Sequence, residues 1–252
     1  MAESSLSLTY EDFMEHVARF LGFKDTYADM SDGNRSRADR IVQSAYRQFL
    51  NPPIVPPAVT AHKWSFLSPE SQIVLASGTA DYDAPEAFGS LLGTMTFSTS
   101  GNIYTPVILV GEGQIRQERQ ATEATGYPKW VAIRPKAFSG ASATRWEFLF
   151  YPEPDGVYTL DYRYNINVNK LNVTNLYPIG GLQHAETMLA SCLAAAERDE
   201  DETQSVQHVR FLARLQTSVE LDLTMGADTL GGEGESHYHQ RLHHTHDETE
   251  WD

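Results

Sequence analysis

The hydrophobic period changes twice along this chain, and that double change restricts the folds open to it. Residues 9–22, TYEDFMEHVARFLG, place Phe13, Val17, Phe20 and Leu21 at helical spacing, with Thr9 ahead of Glu11 and Asp12 at the positive end and Gly22 as the stop. A second helix is expected to begin at a cap near Asp32, to carry Ile41, Ala45, Tyr46, Phe49 and Leu50 on one face, and to end before Asn51-Pro52-Pro53. From Pro52 to about Pro178 prolines and glycines punctuate short runs such as HKWSFL (62–67), QIVLAS (72–77), LGTMTFS (92–98), TPVILVG (105–111) and KWVAIRP (129–135). Their composition predicts a β-rich segment of six to nine strands. Helical spacing returns at Gly180. Leu182, Ala185, Met188, Leu189, Cys192, Leu193 and Ala196 form one stripe; Val206, Val209, Leu212, Leu215, Val219 and Leu223 form a second, which Gly226 closes.

None of these helices is stable alone, so the two end pairs are expected to pack together. The fold class is therefore α+β: a bundle of about four helices drawn from both chain ends, a β-rich domain inserted in it, and an extended C-terminal arm. The expected boundaries are 1–51 for the first helical pair, 52–178 for the insertion, 179–226 for the second pair and 227–252 for the arm. There is no internal repeat.

The most regular alternation is RWEFLFYPEPDGVYTLDYRYNIN, residues 145–167. Trp146, Phe148 and Phe150 fall on one side of an extended chain and Arg145, Glu147 and Leu149 on the other. After Pro152 to Gly156 the pattern resumes with Tyr158, Leu160, Tyr162 and Tyr164. Two such runs joined by a turn predict a hairpin, with Glu147 facing Arg163 and Arg145 facing Asp161 on a solvated sheet face. Aromatics and charge alternate here without a residue pair suited to catalysis.

Charge and cysteine usage narrow the function classes. Asp plus Glu number 34 against 19 Lys plus Arg, a formal net charge of −15, which argues against broad electrostatic gripping of nucleic acid. The single cysteine, Cys192, excludes an intramolecular disulfide and a CxxC zinc site and suits a reducing compartment. MAESSLSLTYEDF has neither a basic nor an apolar signal region, and no window reaches the length of a membrane span.

Candidate sites are few. His237, His239, His243, His244 and His246, with Asp247, could capture a transition metal, but a glycine-rich tail offers no outer hydrogen bonds to orient the rings, so no metal site is expected. The tail reads instead as an arm that orders on docking, with Tyr238, Leu242 and Trp251 as its large anchors. The acidic run Glu197 to Glu202 reads as a solvated turn whose carboxylates assist the following helix N-terminus; it lacks the central glycine of a calcium loop. Gly111 and Gly113 are followed by no Gly-Lys-Ser/Thr, there is no GxSxG or HExxH, and Cys192 sits on an apolar stripe. No catalytic residue and no cofactor are expected, and the chain is not read as an enzyme.

Four stretches, EGQIRQER (112–119), TGYPKWVAIRP (125–135), the aromatic segment 145–167 and HAETMLASCLAAAERDED (184–201), taken in order resemble the head-to-tail adaptor proteins of tailed bacteriophages. The likeness is strongest to the tail accessory factor type and spans roughly residues 8 to 225. It implies a structural virion protein: a homo-oligomeric ring, usually of twelve copies, stacked beneath the portal protein with DNA passing through and not bound by sequence. It further implies assembly in the host cytoplasm, a place in the virion neck, and contacts with tail proteins below (nozzle, tube or stopper) and with no membrane. The arm at Tyr238, Leu242 and Trp251 is then the portal contact, and Arg210 and Arg214 are subunit contacts. Two alternatives stay open: another tail component, a stopper or tube terminator, and a glycan-binding module using Trp130 or Tyr164.

Overall fold

The computed structural model describes residues 4–225, apart from 24–25, 55, 57, 99–103, 140–141 and 202–205. Within these residues the fold is α+β, with five α-helices and seven strands in two sheets. Helix α1 (Tyr10–Phe20) is capped by Thr9 and Asp12, each side chain bonding the other's backbone, the reciprocal arrangement that satisfies two orphan amides. Gly22 follows with φ +70°, a left-handed turn that glycine adopts without a Cβ clash. Helix α2 (Asp32–Leu50) starts one residue earlier than expected: Ser31 is the cap, its hydroxyl accepting from the Asn34 amide, and Asp32 sits in the first turn.

Helices α4 (Leu182–Asp201) and α5 (Val206–Met225) complete the helical part. Phe13, Met14, Val17, Ile41, Ala45, Phe49, Met188, Cys192, Phe211 and Leu215 belong to one buried core, so helices from both ends of the chain share it. Ser191 of α4 donates to the Ala45 carbonyl of α2 at 3.0 Å, and Thr187 of α4 meets the Ser218 hydroxyl of α5 at 2.6 Å. Helix α5 packs mainly on α4.

Between these pairs lie strands β1 (Glu70–Leu75), β2 (Asp81–Asp83), β3 (Phe88–Phe97) and β4 (Ile108–Leu109), helix α3 (Glu112–Ala121), and strands β5 (Trp130–Ser139), β6 (Ser142–Tyr151) and β7 (Tyr158–Ile166). One sheet has the order β1-β7-β3 and the other β2-β6-β5-β4. The expected hairpin of residues 145–167 is not formed: β6 pairs with β2 and β5, whereas β7 pairs with β1 and β3. Pro152 and Pro154 cannot donate to a ladder, and the chain crosses between sheets there. The two aromatic runs then meet face to face, Phe148 lying 5.6 Å from Tyr162 at 77°, and bury one another with Phe150 and Leu160 in a second core.

The expected charge pairs change accordingly. Glu147 pairs with Arg134 of β5, Arg163 donates to the Ser68 carbonyl, and Asp161 accepts from Gln72. The second face of β6 is also covered, because Ile115 of α3 packs with Leu149 and Tyr151. That helix lies inside the segment expected to be β-rich, where no helix was expected. The run 62–67 is likewise not a strand; it holds a 3-10 turn, Ser65–Leu67, which places Trp64 in the helical core.

Candidate functional site

The chain returns from the β-layers along residues 167–181, held to the helices by Gln43, whose amide both donates to and accepts from the Leu171 backbone, and by the Tyr46 hydroxyl, which accepts from the Ile179 amide at 3.1 Å. The outgoing segment is fastened differently. Asp222, in the last turn of α5 and 3 % exposed, accepts from the Ser65 hydroxyl at 2.6 Å and the Ser65 amide at 3.0 Å, and its Oδ2 lies 2.7 Å from His62 Nε2. Burial alone would raise this carboxyl, but the Ser65 and His62 hydrogen bonds outweigh it and hold the group below the usual carboxylate range.

Serine, histidine and aspartate together invite comparison with a nucleophilic triad. In such a triad the imidazole stands between hydroxyl and carboxylate. Here the carboxylate stands in the middle and Ser65 donates to it directly, with no imidazole between them, so the arrangement fastens segment 62–65 to α5. Beside it, Trp64 donates to the Phe49 carbonyl at 2.8 Å, and the buried His184 ring lies 5.2 Å from both Trp64 and Phe66. Burial, foremost, holds the His184 imidazole below its ordinary value. Burial likewise pushes the Cys192 thiol up, which leaves it a core residue rather than a nucleophile.

Helix α5 buries only part of the stripe its apolar spacing predicts: Leu215 is in the core, and Leu212 and Val219 pack against it. Phe211, Leu215, Ser218 and Asp222 face inward, because α4 and segment 62–67 occupy that side. Val206, Val209 and Leu223 stay 73 %, 66 % and 62 % exposed. Arg210 and Arg214 are exposed on this outer side, one turn apart, and neither has an ion pair among the described residues. Glu197 of α4 accepts from the Gln207 and His208 amides, so the acidic run does assist the N-terminus of α5, from the flank of the preceding helix. Tyr238, Leu242, Trp251, the five tail histidines and Asp247 lie outside the described residues.

Two clefts remain. The larger, about 760 Å³, is lined by Tyr46, Ile166, Asn167, Lys170, Asn175 and Tyr177 among others. Three of its asparagines are engaged in the chain's own backbone: Asn167 donates to the Phe88 carbonyl, Asn175 donates to the Lys170 carbonyl, and Asn172 accepts from the Thr174 and Asn175 amides. The smaller, about 400 Å³, contains Arg119, which is committed to Asp81 and to the Ala80 and Phe150 carbonyls. Trp130 and Tyr164 stand in different sheets and stack on Tyr151 and Phe88, so they do not form a joint platform for a sugar. Gly111 caps α3 and Gly113 lies in its first turn. Among the described residues no group of three or more His, Cys, Asp or Glu side chains could hold a metal ion, and no helix is long and apolar enough to cross a membrane.

Sequence reasoning missed the His62, Ser65 and Asp222 set. The one signal it offered was a carboxylate four residues after a serine on a helix face otherwise marked by Phe211 and Leu215. Compared with known protein families, the chain matches the family model described as SU10 adaptor protein over residues 8–229, a span that contains every described helix and strand. None of the curated proteins compared with it matches.

Proposed function

We propose, since the chain belongs to the SU10 adaptor protein family, that it forms the ring joining a phage portal to the tail. The family is one of structural phage proteins, and the match across residues 8–229 is the observation that carries the reading. Twelve copies close around the DNA channel in the virion neck after assembly in the host cytoplasm, with the tail components below. Residues 1–51 and 179–226 act as one helical module and 52–178 as an inserted one. The arm, through Tyr238, Leu242 and Trp251, docks on the portal, and Arg210 and Arg214 contact the neighbouring subunit. The acidic balance of the chain, −15 overall, suits a channel through which DNA passes without being held.

Electron microscopy of the full chain mixed with the portal of its source phage tests this reading. A twelve-fold ring on the portal's narrow end is expected, and it is lost when residues 227–252 are removed while the truncated chain still folds. A six-fold ring, or a bare portal beside monomeric chain, overturns it.

A further inference from the structure

We infer that the outer face of α5 in one copy docks on the α1–α2 corner of the next copy; the inference rests on the ring reading and specifies its subunit joint. The first half of α5 combines exposed aliphatic groups, Val206 and Val209, with two arginines, Arg210 and Arg214, that have no ion pair among the described residues. Nothing else in the described chain covers this face, since α5 packs mainly on α4 and on the 65–67 turn. Large exposed aliphatics beside unpaired guanidinium groups are the composition of a protein contact rather than of a solvated face.

The complementary surface lies on another side of the same module. The turn between α1 and α2 carries Phe23 and Tyr27, both half-buried, and Asp29 and Asp32, both exposed. The Asp32 side chain is fully solvated and its one ion pair, with Arg35, is long at 3.6 Å. Arg35 is itself turned to the carbonyls of Tyr27 and Met30. Acids thus meet arginines and half-buried aromatics meet aliphatics, as charge complementarity and a hydrophobic centre require.

The two surfaces also share a level. Arg37, near the start of α2, bonds Asp199 near the end of α4 at 2.7 Å, and Glu197 of α4 holds the first amides of α5. The α1–α2 turn and the first half of α5 therefore stand at one end of the helical module. Thr187 and Glu197 of α4 reach α5, while Ser191 and Asp199 reach α2, so α5 and α2 occupy different faces of α4. Rotation about an axis running along the helices keeps each surface at its level and brings the α5 flank of one copy beside the corner of the next. Such a contact is heterologous, the kind that builds a ring when its rotation closes.

Charge exchange tests the pairing with the full-length chain and its portal, rings being counted by electron microscopy and sedimentation. Arg210→Glu with Arg214→Glu in one variant, and Asp29→Arg with Asp32→Arg in another, should each lower ring yield at least tenfold, with thermal unfolding unchanged in the first and lowered by only a few degrees in the second, where Asp32 sits in the first turn of α2. An equimolar mixture of the two variants should restore rings, because each joint again pairs opposite charges. Raising salt should weaken wild-type rings and leave folding intact, a readout that does not depend on either variant folding. Wild-type yield from both variants, or failure of the mixture to recover, overturns this joint while the ring reading stands. A wild-type chain that makes no ring with the portal overturns both.

Discussion

Asp222 Oδ2 lies 2.7 Å from His62 Nε2 although the two residues are 160 positions apart. Between them the chain traverses both sheets and α4, so this contact, with Ser65 beside it, fixes the outgoing segment against the last helix. Replacing Asp222 by Ala removes three hydrogen bonds to a buried carboxylate and leaves the Ser65 amide without its acceptor. The expected loss is about 3 kcal/mol. Urea unfolding measures it, and amide exchange should speed up at residues 62–67, which the contact pins.

Histidine burial sets the pH response. The folded His184 imidazole titrates below the ordinary value of 6.5, with desolvation as the main cause. Below that value the unfolded chain binds a proton that the folded chain does not, so stability rises with pH across the window and falls as pH drops from about 7 toward 5. The slope from this one group cannot exceed about 1.4 kcal/mol per pH unit. His184→Phe should flatten the dependence, since the unpartnered Nδ1 has no bond to lose and the neighbours are Trp64, Phe66 and Phe49. Urea midpoints across pH 5 to 7 provide the comparison. Asp222 acts in a separate window: its carboxyl is held below 3.8, so its contribution is present above that pH and is lost in stronger acid.

Gly89 marks a close approach of two strands. A Cβ placed there would stand 2.9 Å from the Asn165 carbonyl oxygen and 3.2 Å from Asn167 Oδ1, at the register shift between Phe88 and Ser90. Backbone cannot yield as a flexible side chain does. Gly89→Ala should cost about 2 kcal/mol, whereas Gly113→Ala, with nothing within 4 Å and a helical setting, should be neutral or slightly stabilising. Thermal unfolding of both variants separates a steric effect from a general intolerance of alanine.

The elements most legible in the sequence were those whose signals are local. Thr9 with Asp12, the Asn51-Pro52-Pro53 stop and the stripe of α2 are each set within a few residues, and the helices follow them. What failed depended on partners distant in sequence. The 145–167 alternation is real, yet nothing within it says whether the two strands share an edge or a face; Arg134 and Ile115, outside it, decide that by taking Glu147 and covering Leu149. Helix α3 has a single buried apolar residue, Ile115, so no stripe announced it. On α5 the apolar spacing named only part of the inward face, Leu215 with Leu212 and Val219 beside it, because Asp222 and Ser218 are buried by hydrogen bonds that only the fold creates. The same feature left Val206 and Val209 outside, where Arg210 and Arg214, legible as charge alone, gain a setting.

Glu147 and Arg134 allow an asymmetric test. Glu147 is 7 % exposed and accepts from Arg134 Nε at 2.7 Å, with a second bond from the terminal guanidinium nitrogen. The Arg134 side chain is 38 % exposed and also stands 3.7 Å from Asp81. Removing the arginine strands a buried carboxylate, whereas removing the glutamate leaves a cation that water and Asp81 still serve. Arg134→Ala should therefore cost about 3 kcal/mol and Glu147→Ala about 1 kcal/mol. The double variant should be more stable than Arg134→Ala alone, because it no longer buries an unpaired charge. Urea unfolding of the three variants gives the cycle. Equal losses from the two single changes would mean that the carboxylate is solvated when its partner leaves, and that the covering of β6 by α3 is looser than the contacts of Ile115 and Leu149 imply.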